Sequence, residues 1–278
     1  MLAFGKDALK TIQEIRRDYI LKGVGHPEYY LGGDIVELDP SWKTSKVHIA
    51  LSAKTYANNI IEKFERLLGT TIHEYKTPMA SDYHPESDET PLLDPNEASL
   101  FRGLVGSANW MITLGRFDLA YATGAQARFG MSPRQGHLDA MKRIFGYVKK
   151  FPHGQIVVDP NLHQPRPSAE PVDYDWQEFY PDAEGEVPPG MPEPRGKPIR
   201  LTCYTDADHA HDVVTRRSVT GILLFINNMP VQWVSKRQKT VETSTYGSEL
   251  VATQIATELI MEFRYKLRML GVPMDGPR

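Results

Sequence analysis

The amino-acid sequence predicts an α+β protein, because runs with the two-residue period of strands and runs with helical spacing occupy separate parts of the chain. Residues 199–234 contain three strand-like runs and are followed by a long helical run. Residues 96–148 show helical spacing alone. A strand hairpin followed by an amphipathic helix is predicted over residues 29–68.

The first predicted segment, residues 1–75, opens with a helix-like stretch from Ala8 to Ile15. Two strand-like runs, residues 29–36 and 47–51, flank turn-forming residues, which predicts a hairpin. Ser52 is the expected N-cap of a helix over residues 53–68, which Gly69 ends. The apolar face of this helix consists of Tyr56, Ile60, Phe64 and Leu67.

The second segment, residues 76–158, is helical after a polar link with prolines over residues 77–95. Asn96 is the expected cap of its first helix. A second helix is predicted around residues 119–129 and a third over residues 134–148. These helices predict a small bundle.

Residues 159–198 have a different composition, with ten prolines, nine acidic residues and little apolar periodicity. Such a stretch cannot bury enough apolar area to offset the entropy of ordering. It is therefore interpreted as an acidic linker or a surface insertion.

The third segment, residues 199–278, is predicted to hold three antiparallel strands joined in part by a turn at Asn227 and Asn228. A helix over residues 246–270 follows. Its apolar stripe, expected to pack on the sheet, consists of Ala252, Ala256, Leu259, Phe263, Leu267 and Leu270.

Composition excludes several classes of protein. The single cysteine, Cys203, excludes a disulfide framework and favours a reducing compartment. No apolar run reaches the ~18 residues that a membrane-spanning helix needs. The sequence therefore predicts an intracellular protein, cytoplasmic or nuclear, that is neither secreted nor bound to a membrane. A net charge of −3 does not by itself identify a partner.

Two carboxylates stand out by their positions. Asp206 lies in a strand-like run, and Glu249 lies at the start of the long predicted helix. Fixed carboxylate oxygens on a strand and a neighbouring helix are what a nuclease that uses divalent ions requires. Asp206 and Glu249 are therefore the candidate catalytic and metal-binding residues, with Mg²⁺ or Mn²⁺ as the ion.

Four ordered motifs of the third segment accompany these carboxylates: Tyr204-Thr-Asp206-Ala-Asp208, Thr215-Arg-Arg-Ser-Val-Thr-Gly221, Trp233-Val-Ser-Lys-Arg-Gln238 and Thr243-Ser-Thr-Tyr-Gly-Ser-Glu249. Together they resemble the ribonuclease H domain of copia-type (Pseudoviridae) retrotransposon Pol polyproteins. The resemblance implies a fold of three antiparallel strands plus a long helix, left incomplete within this chain.

Other parts of the chain are similar to the same family. Phe101-Arg-Gly-Leu-Val-Gly-Ser107 and Arg116-Phe-Asp118 resemble the tether, or connection, between polymerase and nuclease. The Leu31-Gly32-Gly33 turn is similar to the primer-gripping hairpin of the reverse transcriptase palm, and residues 53–68 to the first thumb helix. Residues 1–75 then correspond to the end of the palm and the start of the thumb, and residues 76–158 to the helical thumb and connection.

The resemblance also implies what the chain lacks. The polymerase Tyr-x-Asp-Asp signature of the family does not occur in the sequence. Of the four nuclease carboxylates of the family, only the first two carry over, onto Asp206 and Glu249. Weak Mg²⁺ binding and little or no nuclease turnover are therefore expected of these 278 residues.

Polar and basic residues in the four motifs are candidates for nucleic-acid contact, and the expected partner is an RNA–DNA hybrid or another nucleic acid, with the remainder of a Pol protein as a possible second partner. They are Arg216, Arg217, Ser218, Ser235, Lys236, Arg237, Gln238, Thr243 and Ser244. The basic members could contact phosphates or simply keep an exposed face soluble, and the sequence leaves both readings open.

Three functional hypotheses follow. The first is a Pol fragment whose ancestral role is reverse transcription with cleavage of the RNA in RNA–DNA hybrids. The second is a non-catalytic protein that binds nucleic acid or another partner through the retained surfaces. The third is a decayed element without a function.

Overall fold

The computed structural model describes residues 8–21, 28–38, 49–159, 178, 181–182 and 187–274. Most of the predicted acidic linker therefore lies outside the described residues. The described parts combine helices with two antiparallel sheets, which confirms the predicted mixture of helix and sheet.

The first sheet contains β1 (Tyr29–Tyr30), β2 (Gly33–Glu37), β3 (Ile49–Ser52) and β4 (Gln155–Val158), in the order β1-β2-β3-β4. The pairing of β2 with β3 agrees with the predicted hairpin. The sequence analysis did not anticipate β4, which pairs antiparallel with β3. This sheet therefore joins residues from both sides of the predicted boundary between residues 75 and 76.

Helix α1 spans Ala8–Asp18, and α2 spans Lys54–Leu68 before Gly69 adopts the left-handed conformation at φ +64°. The expected cap was wrong by one residue, because Ala53 occupies the N-cap position. Two side chains serve the start of α2 instead: Ser52 Oγ accepts from the Lys54 amide at 3.2 Å, and Asp34 Oδ2 accepts from the Thr55 amide at 2.9 Å. A strand of the hairpin thus contributes to the helix cap.

The expected apolar face of α2 was also partly wrong. Leu67 is 62% exposed, whereas Ala57, Ile61 and Phe64 are buried. The buried face of α2 therefore consists of Ala57 and the residues four and seven positions later, Ile61 and Phe64.

Three more helices follow: α3 (Pro95–Thr113), α4 (Ala120–Ala127) and α5 (Gln135–Lys150). Asp94, and not Asn96, caps α3, in a reciprocal capping box with Glu97. Helices α2 to α5 share one core, whose largest fully buried apolar side chains are Phe101, Phe145, Leu104, Met111, Leu119, Met141, Ile144 and Val148.

The second sheet contains β5 (Leu201–Asp208), β6 (Val219–Ile226) and β7 (Met229–Arg237), in the order β5-β6-β7. All pairs are antiparallel, and Asn227 turns the chain between β6 and β7 at φ +53°. Helix α6 (Thr245–Met269) packs mainly on β5, with Ala252 and Ala256 buried against the sheet. The predicted three strands and long helix are confirmed in order and extent, although Leu270 is exposed.

The helical segment, defined as residues 76–150, lies against the C-terminal segment, defined as residues 199–274. The rings of Phe117 and Trp233 lie 5.5 Å apart between centroids. A Cβ atom on Gly124 would lie 3.7 Å from the carbonyl oxygen of Ser235, so α4 passes close to strand β7. A methyl group at this position would make an ordinary van der Waals contact with β7.

Candidate active site and nucleic-acid interface

Strand β5 presents the carboxylate of Asp206 on the sheet face away from α6. Asp206 is paired with Gly221 of β6, while the next residue, Ala207, is paired with Thr220 and is buried. Successive side chains of a strand alternate between the two faces. Asp206 is exposed, and a Cβ atom on Gly221 would meet only the Asp206 carbonyl oxygen, at 4.0 Å. The space beside the Asp206 carboxylate is therefore open.

Helix α6 brings the Glu249 side chain to the backbone of β5 next to Asp206. Ser244 caps the helix by accepting a hydrogen bond from the Gly247 amide at 3.1 Å, which fixes the first turn. One turn further on, Glu249 Oε1 accepts a hydrogen bond from the Ala207 amide at 3.3 Å. Because Ala207 follows Asp206 directly, the structure places the Glu249 carboxylate beside the backbone next to Asp206.

The outer edge of β5 is the edge at which Glu249 arrives. Strand β5 is the first strand in the sheet order, so its other edge has no full strand beside it among the described residues. After α6 the chain returns to this edge, where Met274 forms a parallel bridge with Ile199 and the Ile199 amide donates to the Pro273 carbonyl at 3.0 Å. Parallel neighbours require such a crossover through a helix. A segment parallel to β5 therefore runs beside the residues that precede this strand.

Carboxylate oxygens of this kind fit Mg²⁺ or Mn²⁺, since hard ions prefer oxygen ligands. Asp206 and Glu249 contribute two such groups. Across the part of the chain that the structure describes, no group of three or more potential ligands has the arrangement of a metal site.

The candidate nucleic-acid residues fall into two groups in the structure. Arg216 and Lys236 are exposed and Arg217 is half-buried, and no hydrogen bond or ion pair joins their side chains to another described residue. Thr243 and Ser244 are also exposed, although Ser244 serves as the cap of α6. Ser235 is half-buried and lines a groove of about 540 Å³ between β7 and the helical segment.

The second group lies inside the protein, which corrects the expectation for its members. Ser218 is fully buried, and its hydroxyl accepts from the Ala210 amide at 3.1 Å. Gln238 is 4% exposed and donates to the Thr220 hydroxyl and the Ser248 carbonyl. Arg237 is bound to Asp212 at 2.7 Å. The Ser218 hydroxyl, Gln238 Nε2 and the Arg237 guanidinium all bind internal partners, so these groups help to hold the C-terminal segment together.

The turn between β1 and β2 contains the residues selected by their similarity to a primer-gripping hairpin. Leu31 has φ +49° and Gly32 has φ +90°, so both central residues of the turn are left-handed. A Cβ atom on Gly32 would lie 3.0 Å from Trp110 Nε1, and one on Gly33 would lie 3.5 Å from Leu114 Cδ2. Glycine is needed here for its backbone conformation and for the close approach of the hairpin to the end of α3.

The sequence analysis did not select Asp212, which has a structural role. Asp212 is completely buried and accepts from the Thr215 amide at 2.7 Å, from Arg237 at 2.7 Å and from Arg128 at 2.9 Å. Burial alone would raise its pKa, but the hydrogen bonds from Thr215 and Arg237 and the charge of Arg128 hold the pKa well below its usual range. The Asp-x-x-Thr spacing signals a local turn. No local pattern signals the arginines, which lie 84 and 25 residues away in the sequence.

The described residues define a chain of α+β type in which the Glu249 side chain meets the backbone beside Asp206. Its homologues are retrovirus-related Pol polyproteins of transposons, which confirms the resemblance to the copia-type family. The Pol polyprotein from transposon TNT 1-94 of Nicotiana tabacum is 26% identical over 98% of this chain, and that from transposon RE1 of Arabidopsis thaliana is 25% identical over 96%.

The chain spans only 18% and 15% of the lengths of these two relatives. A third relative is short: Secreted RxLR effector protein 161 of Plasmopara viticola is 29% identical over 55% of this chain, which is 84% of the effector. No protein-family model and no solved structure matches the chain. Among the described residues, no helix is long and apolar enough to cross a membrane.

Proposed function

We propose that this chain corresponds to the region of a retrotransposon Pol polyprotein that connects the end of a reverse transcriptase to the beginning of a ribonuclease H domain, and that it binds RNA–DNA hybrids. One observation carries the proposal: Glu249 of α6 binds the backbone beside Asp206 of β5, at an edge that a parallel segment approaches. A strand carboxylate beside a helix carboxylate is the starting arrangement of a metal-dependent nuclease.

In this proposal Asp206 and Glu249 are the first two ligands of the metal site. Divalent ions bound there would lower the pKa of the attacking water and stabilise the leaving oxygen of the cleaved RNA strand. The protein itself fixes the two carboxylates. The β5 ladder holds the backbone of Asp206, and the Ala207 amide orients Glu249. The open space at Gly221 leaves room for a phosphate group beside Asp206.

We further propose that these 278 residues bind a hybrid without cleaving it. Two carboxylates leave most of the coordination of a hard ion to water, and Mg²⁺ dehydrates reluctantly, so the ion would bind weakly. Further carboxylates would come from a strand that pairs in parallel with the outer edge of β5 and from residues after it.

The proposed nucleic-acid surface consists of the exposed basic and hydroxyl side chains around this site. Arg216, Arg217 and Lys236 supply positive charge, which attracts the phosphate backbone irrespective of sequence. The turn at Leu31 to Gly33 would approach the primer strand through its backbone, as in the family hairpin that it resembles.

A non-catalytic interaction protein remains the second candidate, because the chain covers 84% of one short relative that is not named as a Pol protein. The name of that relative describes a secreted effector, so the intracellular location expected here stays a prediction.

Hydrolysis and binding of a labelled RNA–DNA hybrid test the proposal. Three proteins are compared in Mg²⁺ and in Mn²⁺: this chain, the chain extended by the region that follows the match in the TNT 1-94 relative, and the extended chain with Asp206→Asn. We expect binding by all three and cleavage by the extended chain alone. Salt-sensitive binding would show that phosphate contacts contribute.

Other outcomes distinguish the candidates. Cleavage by the unextended chain would contradict the proposed incompleteness. Binding by all three proteins without cleavage by any would favour the second candidate, and failure of the unextended chain to bind would overturn the nucleic-acid proposal itself.

A further inference from the structure

Residues 209–217, which connect β5 to β6, form a loop organised around Asp212. The Asp212 carboxylate accepts from the amides of Val214 and Thr215 at 3.2 and 2.7 Å. Its backbone is paired as well, since the Arg216 amide donates to the Asp212 carbonyl at 2.7 Å and the Asp212 amide donates to the Arg217 carbonyl at 3.2 Å. One buried residue therefore holds the loop closed on itself.

The same carboxylate ties the loop to the helical segment. Arg128, at the end of α4, lies 2.9 Å from Asp212 Oδ2 and 3.5 Å from Glu86 Oε2. Glu86 in turn accepts from the Val213 amide at 3.0 Å. The Glu86 side chain is 8% exposed and Asp212 is fully buried, so these ion pairs are largely shielded from solvent and salt. We call Glu86, Arg128, Asp212 and Arg237 the charge latch.

A second connection lies at the start of the loop. His211 Nδ1 lies 2.6 Å from Asp208 Oδ2, and His211 Nε2 is hydrogen-bonded to the Tyr121 hydroxyl of α4. With the neutral ring protonated at Nδ1, His211 donates to Asp208 and accepts from Tyr121. Asp208 lies two residues beyond Asp206 on the same strand face, so α4 also steadies the end of β5.

The two arginines of the charge latch are paired with its two carboxylates. Basic residues outside the latch are therefore the ones available to bind phosphates. Arg128 and Arg237 are matched by Asp212 and Glu86, and all four charges are partnered. Arg216 and Arg217 lie on the loop that the latch encloses, and no ion pair engages either side chain within the described part of the chain. Arg216 has φ +56°, a left-handed conformation that a residue with a Cβ atom rarely adopts unless its surroundings impose it. The latch imposes it here.

We propose that Asp212 is a positioning residue for nucleic-acid binding: together with Arg128 of the helical segment it holds the 209–217 loop in the conformation that presents Arg216 and Arg217 to the phosphate backbone. This inference rests on the proposed function and extends it, because it assigns phosphate contact to two arginines and assigns their orientation to a buried carboxylate. Arg237, although basic and nearby, positions the loop and does not bind the nucleic acid.

The test measures binding of a fluorescent RNA–DNA hybrid by the full 278-residue chain at several salt concentrations, with thermal melting to show that each variant is folded. The Arg216→Gln/Arg217→Gln double variant should bind at least about tenfold more weakly, and the slope of log K against log salt should become shallower by about 1 to 2. Lys142→Gln on α5, which removes one exposed charge far from the loop in sequence, is the matched control and should leave the slope unchanged.

Asp212→Asn carries the decisive result. It removes a negative charge, so a purely electrostatic effect would strengthen binding to a polyanion. The proposal requires the opposite: weaker binding and a slope as shallow as that of the double arginine variant. Arg128→Lys, which keeps the charge but not the planar guanidinium, should fall between the wild type and Asp212→Asn.

Because Asp212→Asn could impair folding, Arg128→Gln provides a second route through a partly exposed residue, and binding is compared below the melting transition of each variant. Weaker binding with a shallower slope in folded Arg128→Gln would support the proposal. Unchanged slopes in folded Asp212→Asn or Arg128→Gln, while the wild type binds, would overturn the positioning role alone. Absence of binding by the wild type would overturn both this role and the proposed function.

Discussion

At the scale of single residues, the two mid-helix glycines Gly103 and Gly146 show how packing decides the effect of the same change. Gly103 of α3 is exposed, and a Cβ atom there would meet nothing within 4 Å. A Cβ atom on Gly146 of α5 would lie 2.0 Å from the carbonyl oxygen of His73. The connection that runs before α3 therefore lies directly on the α5 backbone at Gly146.

This difference predicts that the same Gly→Ala substitution changes the unfolding free energy in opposite directions at the two positions. Gly103→Ala should stabilise the protein by about 0.5–1 kcal/mol, because alanine loses less backbone entropy in a helix. Gly146→Ala should destabilise it by about 3 kcal/mol, because the added methyl must push the residue 73 backbone away. Urea unfolding of the two variants and the wild type measures both. A stabilising Gly146→Ala would contradict the close contact with His73.

The lowered pKa of Asp212 predicts how the stability of the protein depends on pH in acid. Its pKa is lower in the folded protein than in an unfolded chain, so its ionised form stabilises the fold at neutral pH. That contribution should be complete above about pH 4, the ordinary value of an aspartate, and should be lost as the pH falls toward the folded value. We expect Asp212→Asn to cost about 3–5 kcal/mol at pH 7, since it leaves two arginines without their counter-ion.

The measurement is the difference in unfolding free energy between the wild type and Asp212→Asn from pH 7 to pH 2. The difference should stay constant down to about pH 4 and shrink below it. Asp139→Asn, which changes an exposed aspartate paired with Lys142, should show a difference near zero throughout. A difference that grows as the pH falls would show that the pKa of Asp212 is raised and not lowered.

At the scale of secondary structure, periodicity predicted the strands and helices better than their ends. Strands β5 to β7 and helix α6 follow from local apolar patterns, and they lie where the sequence placed them. The cap of α3 was misplaced because Asp94 and Asn96 are both suitable and stand close together. The cap of α2 was misplaced because Ala53, which has no capping side chain, holds the N-cap position. Strand β4 was missed because it is four residues long and its partner β3 lies about a hundred residues earlier.

The start of α3 offers a direct test of such a choice. Asp94 accepts from the amides of Asn96 and Glu97 at 2.8 and 2.9 Å, while no hydrogen bond from the Asn96 side chain supports the cap. Asp94→Ala should therefore cost about 1 kcal/mol, and Asn96→Ala should change stability by less than about 0.5 kcal/mol. Thermal melting of the two variants distinguishes them. Equal losses of stability in the two variants would contradict the assignment of Asp94 as the N-cap.

At the scale of the whole molecule, sequence and structure differ most in what connects the segments. The sequence analysis selected Asp206 and Glu249 because each lies in a motif of its own, and α6 places Glu249 against the backbone beside Asp206. It did not locate the charge latch, because Glu86, Arg128, Asp212 and Arg237 come from four separate stretches of the sequence. Interactions between distant segments leave no periodic signal, so the helical segment appeared in the sequence as a spacer and appears in the structure as a support for the loop beside the site.

If the helical segment supports the C-terminal segment in this way, the two should unfold together, and the close passage of α4 over β7 should be the most sensitive point of their contact. A Cβ atom on Gly124 would lie at an ordinary van der Waals distance, 3.7 Å, from the Ser235 carbonyl oxygen, so Gly124→Ala should be tolerated. Gly124→Phe, in contrast, should force α4 away from β7 and separate the rings of Phe117 and Trp233. The hydrophobic core of the helices does not contain Gly124, so each segment should keep its own helices or strands in the variant. Unfolding followed by far-ultraviolet circular dichroism and by tryptophan fluorescence should give coincident transitions for the wild type and Gly124→Ala, and two separated transitions for Gly124→Phe. Coincident transitions with an unchanged midpoint in Gly124→Phe would mean that the contact between the segments contributes nothing to stability, and the helical segment would then be a spacer after all.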